Sequence, residues 1–551
     1  FFYAPSSGYG FTTLWQAYAM DPEEQAVLDD LANKAYSTPE ERDELFRKSF
    51  DVQFKYNYRV WVVDGRGASP WVPGVEVACD LAAGIDASAV YPYTVRFTDQ
   101  EGGVMRVIDS DIMVDPSNPI AGSNWTYDSL WKNSTASHDL MTHPHTGISL
   151  PQRLESATVT VQSDLPVRKT YDWVTLETAD EITVPGDMWI DWNPETQTFI
   201  TVDEKFPDGL TATVKVVYTY PADMFDIVSW HDGSPLSVGD FVMKMIMGFA
   251  PGTEGSEIYD ESQAASLAAG LEAFKGFKIV STDPLVIESY SDVWYEDAEL
   301  IAGFQAPNWP EYNYGEGSWH VLAVANKADA AGELAYSADK ADALEVEWMN
   351  FVAGPSLDIL SAKLDEAVAE SYIPFEPTMG QFVTAEEAAA RYANLQAFYA
   401  DHGHFWVGTG PYILDEVFPV EKTATLAHNP NFPDLADRWA GFATPKIAEG
   451  AVDGAGRVVI GEEATFDVFV DFEGEPYPSD EVTAVKYLLF DSASNLVAKG
   501  DAEFVAEGQY LVTLDAETTG KLESGSNKLE VVITVLPVAS PTIVDFEFVS
   551  E

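Results

Sequence analysis

Apolar and polar residues alternate in two separate stretches of this 551-residue chain, and such alternation predicts β-strands. The first stretch runs from about 155 to 228 and includes the segments 157–161 and 212–218. The second lies in 448–551, where Gly, Ser and Pro separate short alternating segments at 466–472, 485–490, 510–514 and 529–535. That spacing predicts an all-β sandwich of immunoglobulin-like type with seven strands, although paired cysteines and a central tryptophan are absent from its sequence.

Between these stretches the spacing of apolar residues is mostly helical. Helices are predicted at 241–249, within 325–400, and most clearly at 385–399, where Thr384 and Glu387 have the spacing of a capping box. Near the start, Ser37 or Thr38 is expected to cap a helix that leads to a strand-like run at 58–64. The pattern is therefore that of a mixed α/β and α+β protein.

Composition limits the partners of the chain. Its net charge is −60, from 90 acidic and 30 basic residues. Nucleic acid is excluded as a partner because phosphate contacts need clustered Lys and Arg, and an anionic membrane surface would repel the protein. Cys79 is the only cysteine, so no intramolecular disulfide can form. The length predicts about three or four domains.

Two segments carry the strongest motif signal. The first is WHDGSPLSVGD, from Trp230 to Asp240, and the second is VGTGPYI, from Val407 to Ile413. Both are turn-forming sequences, in which Asp-Gly, Gly-Ser-Pro and Gly-Thr-Gly-Pro connect strands and helices. Neither contains a nucleophile with its base, a phosphate cradle or a spaced metal set. The motifs therefore favour a binding scaffold over an enzyme.

These two signature segments resemble those of family 5 extracellular solute-binding proteins, the peptide- and nickel-binding receptors of ABC importers. The resemblance implies a class II periplasmic-binding-protein-like core over 101–447. It implies a peptide-like or oligosaccharide-like ligand, an ABC transporter permease as partner, and hinge closure without covalent chemistry. It also implies an extracellular or cell-surface location, periplasmic where the source has an outer membrane.

The order of the family-like segments is inverted. Residues 102–107 and 115–119 resemble the beginning of the family, whereas 37–64 resemble its end. The core is thus expected to be partial or permuted, with 1–100 as an end-like segment made of the tail of a closing lobe and the return segment. Either a longer precursor with repeated units or a permuted fold explains the order. The chain begins with Phe1 and is expected to be processed or a piece of a longer one. On either account, 37–64 should pack in the same lobe as 102–120 and 230–250.

Aromatic residues near the family-like segments are the predicted ligand-binding set. Large amphipathic rings are typical of binding pockets, but four-residue spacing and a long loop also fit plain core packing. Two N-glycosylation sequons begin at Asn124 and Asn133, and a glycan on Asn124 would compete with a ligand. The predicted ligand-binding residues are Trp125, Tyr127, Trp131, Trp309, Tyr314, Trp319 and Tyr412.

Two histidine groups raise the question of a metal. His138, His143 and His145 are close in sequence, as are His402 and His404, but no acidic or cysteine partner follows a fixed pattern. We therefore predict no metal, no cofactor, no catalytic residue and no enzymatic activity. The alternative to a receptor is a structural cell-surface protein that self-assembles into a sheet, sheath or filament.

Overall fold

The computed structural model describes residues 21–56, 62, 69–85, 88–305 and 309–551. They form a mixed α/β structure with large β-sheets, followed by a separate all-β part. No helix in these ranges combines the length and the apolarity that a membrane span needs.

The first hundred residues contribute a helical pair and a short packed segment. Thr38 caps the second helix, because its hydroxyl accepts a hydrogen bond from Glu41 N at 3.2 Å, as the sequence predicted. The elements are α1 Pro22–Ala32, α2 Pro39–Tyr56, β1 Val75–Glu76, α3 Tyr91–Thr94 and β2 Arg96–Phe97.

The helical pair contacts the mixed α/β part of the chain, residues 101–447, which we call the mixed region. The contacts are made by Lys34 and Arg42. Lys34 Nζ lies 4.0 Å from the centre of the Tyr295 ring, and Arg42 Nε lies 2.8 Å from Glu296 Oε1. The packing of 37–64 in the same lobe as 102–120 and 230–250 stays a prediction. Of the strand predicted at 58–64, every residue except Val62 lies outside the described residues.

The mixed region is built on a seven-stranded sheet in the order β6-β5-β11-β13-β12-β8-β9. Neighbouring strands are antiparallel except β5 and β6, which are parallel. The strands of this part of the region are β3 Leu140–Thr142, β4 Ser149–Pro151, β5 Ser156–Gln162, β6 Val174–Ala179, β7 Ile182–Val184, β8 Trp189–Asn193, β9 Thr198–Thr201, β10 Leu210–Ala212, β11 Val214–Thr219, β12 Phe274–Thr282 and β13 Leu285–Ser291.

Alternation located strand β5, because one face of this strand is buried. In β5 the side chains of Val159 and Val161 are buried, and their neighbours along the strand are half-buried. The prediction of one strand at 212–218 was wrong, because the segment is divided between β10 and β11. Thr213 interrupts it by donating through its N–H and its hydroxyl to Asp292 Oδ1, at 3.0 and 3.1 Å.

Helices pack on this sheet and on one another. In α7 nearly every side chain is buried, and Ser237 and Asp240 form a capping box at its start. Thr384 caps α14 as predicted, while the Glu387 carboxylate accepts a hydrogen bond from Ser237 Oγ at 2.8 Å. The helices are α4 Ser129–Ser134, α5 Val202–Lys205, α6 Met224–Ile227, α7 Val238–Met247, α8 Glu261–Ala273, α9 Ala298–Gln305, α10 Trp319–Ala330, α11 Ala338–Leu344, α12 Ser356–Glu370, α13 Glu376–Met379 and α14 Ala385–His402.

Short strand pairs complete the mixed region. The antiparallel pair β14–β15 forms a tight hairpin, and β18–β19 follows the second signature segment. The strands are β14 Glu311–Tyr312, β15 Gly315–Glu316, β16 Leu334–Ala335, β17 Glu347–Trp348, β18 Tyr412–Phe418 and β19 Thr423–His428.

The C-terminal part consists of two five-stranded sheets that share a core of their own. They contain ten strands, three more than the seven predicted: seven strands have six or more residues, and three are shorter. The elements are β20 Glu449–Gly454, β21 Arg457–Val458, β22 Ala464–Phe472, β23 Glu475–Pro476, β24 Val482–Phe490, β25 Leu496–Asp501, β26 Glu503–Ala506, β27 Gln509–Leu514, α15 Ala516–Thr519, β28 Gly525–Val535 and β29 Thr542–Ser550.

Candidate ligand-binding site

His231 joins the two signature segments, which are far apart in sequence. The backbone N–H of His231 donates to the Gly408 carbonyl at 2.8 Å, and its ring Nδ1 accepts from Gly408 N at 3.3 Å. Nε2 lies 3.1 Å from the Gly410 carbonyl oxygen, so Nε2 carries the proton. Burial lowers the pKa of His231 to about 4, which keeps the ring neutral with one donor and one acceptor. One imidazole thus holds both segments together.

The glycines of the second segment are needed for close packing. A Cβ at Gly408 would lie 1.9 Å from the Thr135 carbonyl oxygen, and one at Gly410 would lie 2.4 Å from Ala136 N. Gly410 N donates to the Thr135 carbonyl at 2.9 Å. The Gly-Thr-Gly segment therefore lies directly on the backbone that follows α4.

The acidic residues of the first segment are occupied by internal bonds. Asp240 accepts hydrogen bonds from Ser237 N at 2.9 Å and Trp319 N at 3.0 Å, and it pairs with Arg391 at 2.9 Å. Asp232 lies 2.8 Å from His320 Nε2. All of these side chains except Ser237 are buried, so the acidic residues of this segment anchor the fold.

A cavity of about 230 Å³ lies beside α4 and the β14–β15 hairpin. We call it the cleft. It is lined by Ser123, Asn124, Trp125, Ser129, Lys132, Asn133, Ala136, Glu311, Tyr312, Asn313, Tyr314 and Gly315. A more open hollow of about 510 Å³, lined by 124–127, shares Asn124 and Trp125 with the cleft. The structure therefore brings together Trp125 and Tyr314 of the predicted set, with Tyr127 next to them.

Three other residues of the predicted set lie in the core instead. Trp131 packs edge-on against Trp406 at 4.8 Å between ring centres and donates to Asp128 Oδ1 at 3.0 Å. Trp309 donates to Glu316 Oε1 at 2.7 Å, and Trp319 packs against Tyr392. All three are buried and do not line the cleft, which corrects their assignment as ligand-binding residues. Core packing, which was the alternative to ligand binding for these aromatic residues, accounts for them.

Tyr412 also lies away from the cleft. It begins β18 and is half-buried. Burial, with a smaller contribution from Tyr412, raises the pKa of Tyr91 to about 12.

The charged groups at the cleft have partners within the protein. Lys132 Nζ donates to the Ser123 carbonyl at 2.7 Å, and burial lowers its pKa to about 8 while Asp128 opposes that shift. Glu311 Oε2 lies 2.9 Å from His138 Nδ1. Burial lowers the pKa of His138, but the carboxylates of Glu311, Glu316 and Asp139 together outweigh burial, and the net shift is upward. The cleft is therefore polar and close to electrically balanced.

Two buried acids stand behind the cleft, and the sequence did not single them out. Glu316 accepts hydrogen bonds from Trp309 and from the N–H and hydroxyl of Thr409, the last two at 2.6 Å. Burial nevertheless raises the pKa of Glu316 to about 7, and burial together with Glu311 raises that of Asp139 to about 6. Neither residue lines the cleft. Nothing in the sequence distinguishes them among 90 acidic residues.

The histidine groups pack as ordinary side chains. His143 lies edge-on to Phe442 at 4.8 Å, and burial lowers its pKa to about 4. His404 Nε2 bonds to the Leu414 carbonyl at 2.9 Å. Within the described ranges, no three His, Cys, Asp or Glu side chains lie close enough to hold a metal ion.

The two sequons differ in accessibility. Asn124 and Thr126 are both exposed at the mouth of the cleft. In the sequon of Asn133, Thr135 is buried: its hydroxyl donates to the Lys132 carbonyl at 2.9 Å and accepts from Trp406 Nε1 at 2.8 Å. In the folded protein, the Asn124 sequon is therefore accessible, whereas the Thr135 hydroxyl of the Asn133 sequon is buried.

Comparison with known proteins gives little. No protein-family model matches the chain, and no curated protein matches it. The crystal structure of the CARDB domain of a Pyrococcus furiosus protein, in complex with di-metal ions, is 14% identical with a TM-score of 0.14, covering 20% of this chain and 92% of that chain. The solution NMR structure of that domain is 13% identical with a TM-score of 0.14, covering 19% and 96%. Scores this low carry no conclusion.

Proposed function

We propose that this protein is the extracytoplasmic solute-binding component of an ABC importer. The observation that carries the proposal is the hydrogen bonding of the two signature segments through His231, next to a cleft that contains Trp125 and Tyr314. In this proposal, residues 101–447 form a partial or permuted class II binding-protein core, and 448–551 form an immunoglobulin-like domain. The protein acts outside the cell or at its surface and delivers a peptide-like or oligosaccharide-like ligand to a permease.

Binding in this proposal needs no covalent chemistry. Trp125 is 43% exposed, its indole N–H is fixed by Asp115 at 2.6 Å, and its ring stacks on Tyr127 at 5.9 Å between centres. A ring held in this way offers a flat surface to a ligand at little further cost in conformational entropy. Hinge closure of a second lobe would then exclude water from the bound ligand.

Calorimetry of the intact protein against peptide and oligosaccharide libraries tests the proposal. Trp125→Ala should weaken the bound ligand by about 1–3 kcal/mol, since it removes a stacking surface. Trp71→Ala is the matched control, because Trp71 is also exposed (54%) and does not line the cleft. The receptor proposal fails if no library member binds, or if both variants behave alike.

One observation favours the alternative of a self-assembling surface protein. Strand β26 lies at the edge of its sheet, and Phe504 and Val505 on it are 59% and 49% exposed. An exposed apolar edge strand can pair with the same strand of another copy. Under this alternative, sedimentation shows ordered polymers at high salt or with Ca²⁺, which screens the net charge, and Phe504→Lys abolishes them.

A further inference from the structure

The charged side chains at the cleft are already engaged, which limits the ligands that it suits. Lys132 is bonded to the Ser123 carbonyl, Glu311 faces His138, and Asp115 accepts from Trp125. A peptide brings an ammonium and a carboxylate, and both groups need opposite charges that are free to meet them. A peptide terminus that bound here would have to share one of these groups with its internal partner.

The uncharged polar groups are, by contrast, available. The side-chain amides of Asn124, Asn133 and Asn313 and the hydroxyl of Ser129 have no hydrogen-bond partner among the described residues. An amide offers both donors and an acceptor, as does each hydroxyl group of a sugar. Three asparagines that line one cavity therefore match a ligand that has many hydroxyl groups and no charge.

The aromatic residues are placed to extend that match. Trp125 belongs both to the cleft and to the open hollow next to it, while Tyr314 lines the cleft and Tyr127 lines the hollow. The electron-rich face of an aromatic ring attracts the C–H face of a sugar ring. A ligand that spans Trp125 contacts both spaces, which favours several linked units over one.

We infer that the cleft binds a neutral oligosaccharide. One sugar unit lies between Trp125 and Tyr314, hydrogen-bonded by the amides of Asn133 and Asn313, and the next unit lies over Tyr127 in the hollow. This inference narrows the ligand class of the proposed receptor function and rests on it.

The test is calorimetry of the intact protein with three probe sets: neutral oligosaccharides of two to five units, acidic oligosaccharides, and peptides of two to five residues. We expect a neutral oligosaccharide to bind best, with a Kd that changes less than about twofold between 0.15 and 0.5 M salt because no charges pair. Asn313→Asp replaces an amide donor by a carboxylate without changing its shape, and it should weaken binding about tenfold or more. Asn431→Asp, at an exposed position outside the cleft, should have no effect.

The outcomes separate this inference from the proposed function. Peptides that bind in a Trp125-dependent way, with no binding of neutral sugars, would overturn the inference and leave the receptor function standing. A neutral sugar that binds Asn313→Asp as well as the parent protein would overturn its placement in the cleft. Absence of binding by every probe would remove the receptor function and the inference together.

Discussion

Arg391 and Asp240 form a buried ion pair, with Nη2 2.9 Å from Oδ2 and at most 1% of either side chain exposed. Removing one partner leaves an uncompensated buried charge, which costs about 3–5 kcal/mol. We therefore expect Arg391→Met to lower the free energy of unfolding by that amount in urea titrations. The control is Arg457→Met, since Arg457 and Glu551 pair on the surface and such pairs contribute about 0–1 kcal/mol. Equal stability of the two variants would show that the buried pair does not anchor the fold.

Gly410→Ala should destabilise the protein by about 3 kcal/mol or more. Its Cβ would lie 2.4 Å from the Thr135 carbonyl carbon and from Ala136 N, and neither backbone atom can move away cheaply. Gly270→Ala is the control, because Gly270 lies in helix α8 with open space around it. That change should stabilise by about 0.5–1 kcal/mol, the helix preference of Ala over Gly. Thermal melts of both variants give the comparison, and a Gly410→Ala variant as stable as the parent would contradict the packing account.

Glu316 should make stability depend on pH. Its pKa is raised from 4.5 to about 7 in the folded protein, so the fold binds an extra proton between those values. The associated stability, about 3 kcal/mol at 1.36 kcal/mol per pH unit, is present below pH 4.5 and is lost as the pH rises to about 7. His138, whose pKa is also raised, acts in the same direction.

Urea titrations at pH 4.5 to 8 measure this effect. Glu316→Gln cannot titrate, so the slope between pH 4.5 and 7 should become shallower, while the exposed Glu195→Gln should keep the parent slope. An unchanged slope in Glu316→Gln would assign the pH dependence to other groups.

The C-terminal β-sandwich should fold by itself. Its buried side chains, including Phe466, Val468 and Leu529, form a core separate from that of the mixed region. A fragment covering 446–551 keeps Lys446, whose carbonyl accepts from Tyr477 Oη at 2.8 Å. Circular dichroism should show β-structure and a cooperative melt, and a disordered or helical fragment would contradict this expectation.

The elements that the sequence predicted best are those with local signals. Alternation of apolar and polar residues located β22, β24, β27 and β28. The capping residue Thr384 located the start of α14. The cleft was predicted in part: Trp125 and Tyr314 line it, and Tyr127 is adjacent.

The remaining site residues depend on distant packing. Trp309 and Trp319 have the same local character as Trp125, but their indole groups donate to Glu316 and Glu387 in the interior. Only the tertiary fold places those acids there. Asn313 likewise lines the cleft because it lies in the turn between β14 and β15.

The contact between His231 and Gly408 also determines when the mixed region can finish folding. These residues are 177 positions apart, and closing so long a loop costs conformational entropy before any bond compensates it. During synthesis, α7 and α10 are made well before residues 407–413. The strands β28 and β29 are joined by a short connection, so they can pair soon after they are made. The mixed region therefore remains exposed to aggregation and to chaperones until about residue 410 has emerged, whereas the sandwich folds soon after its own strands appear.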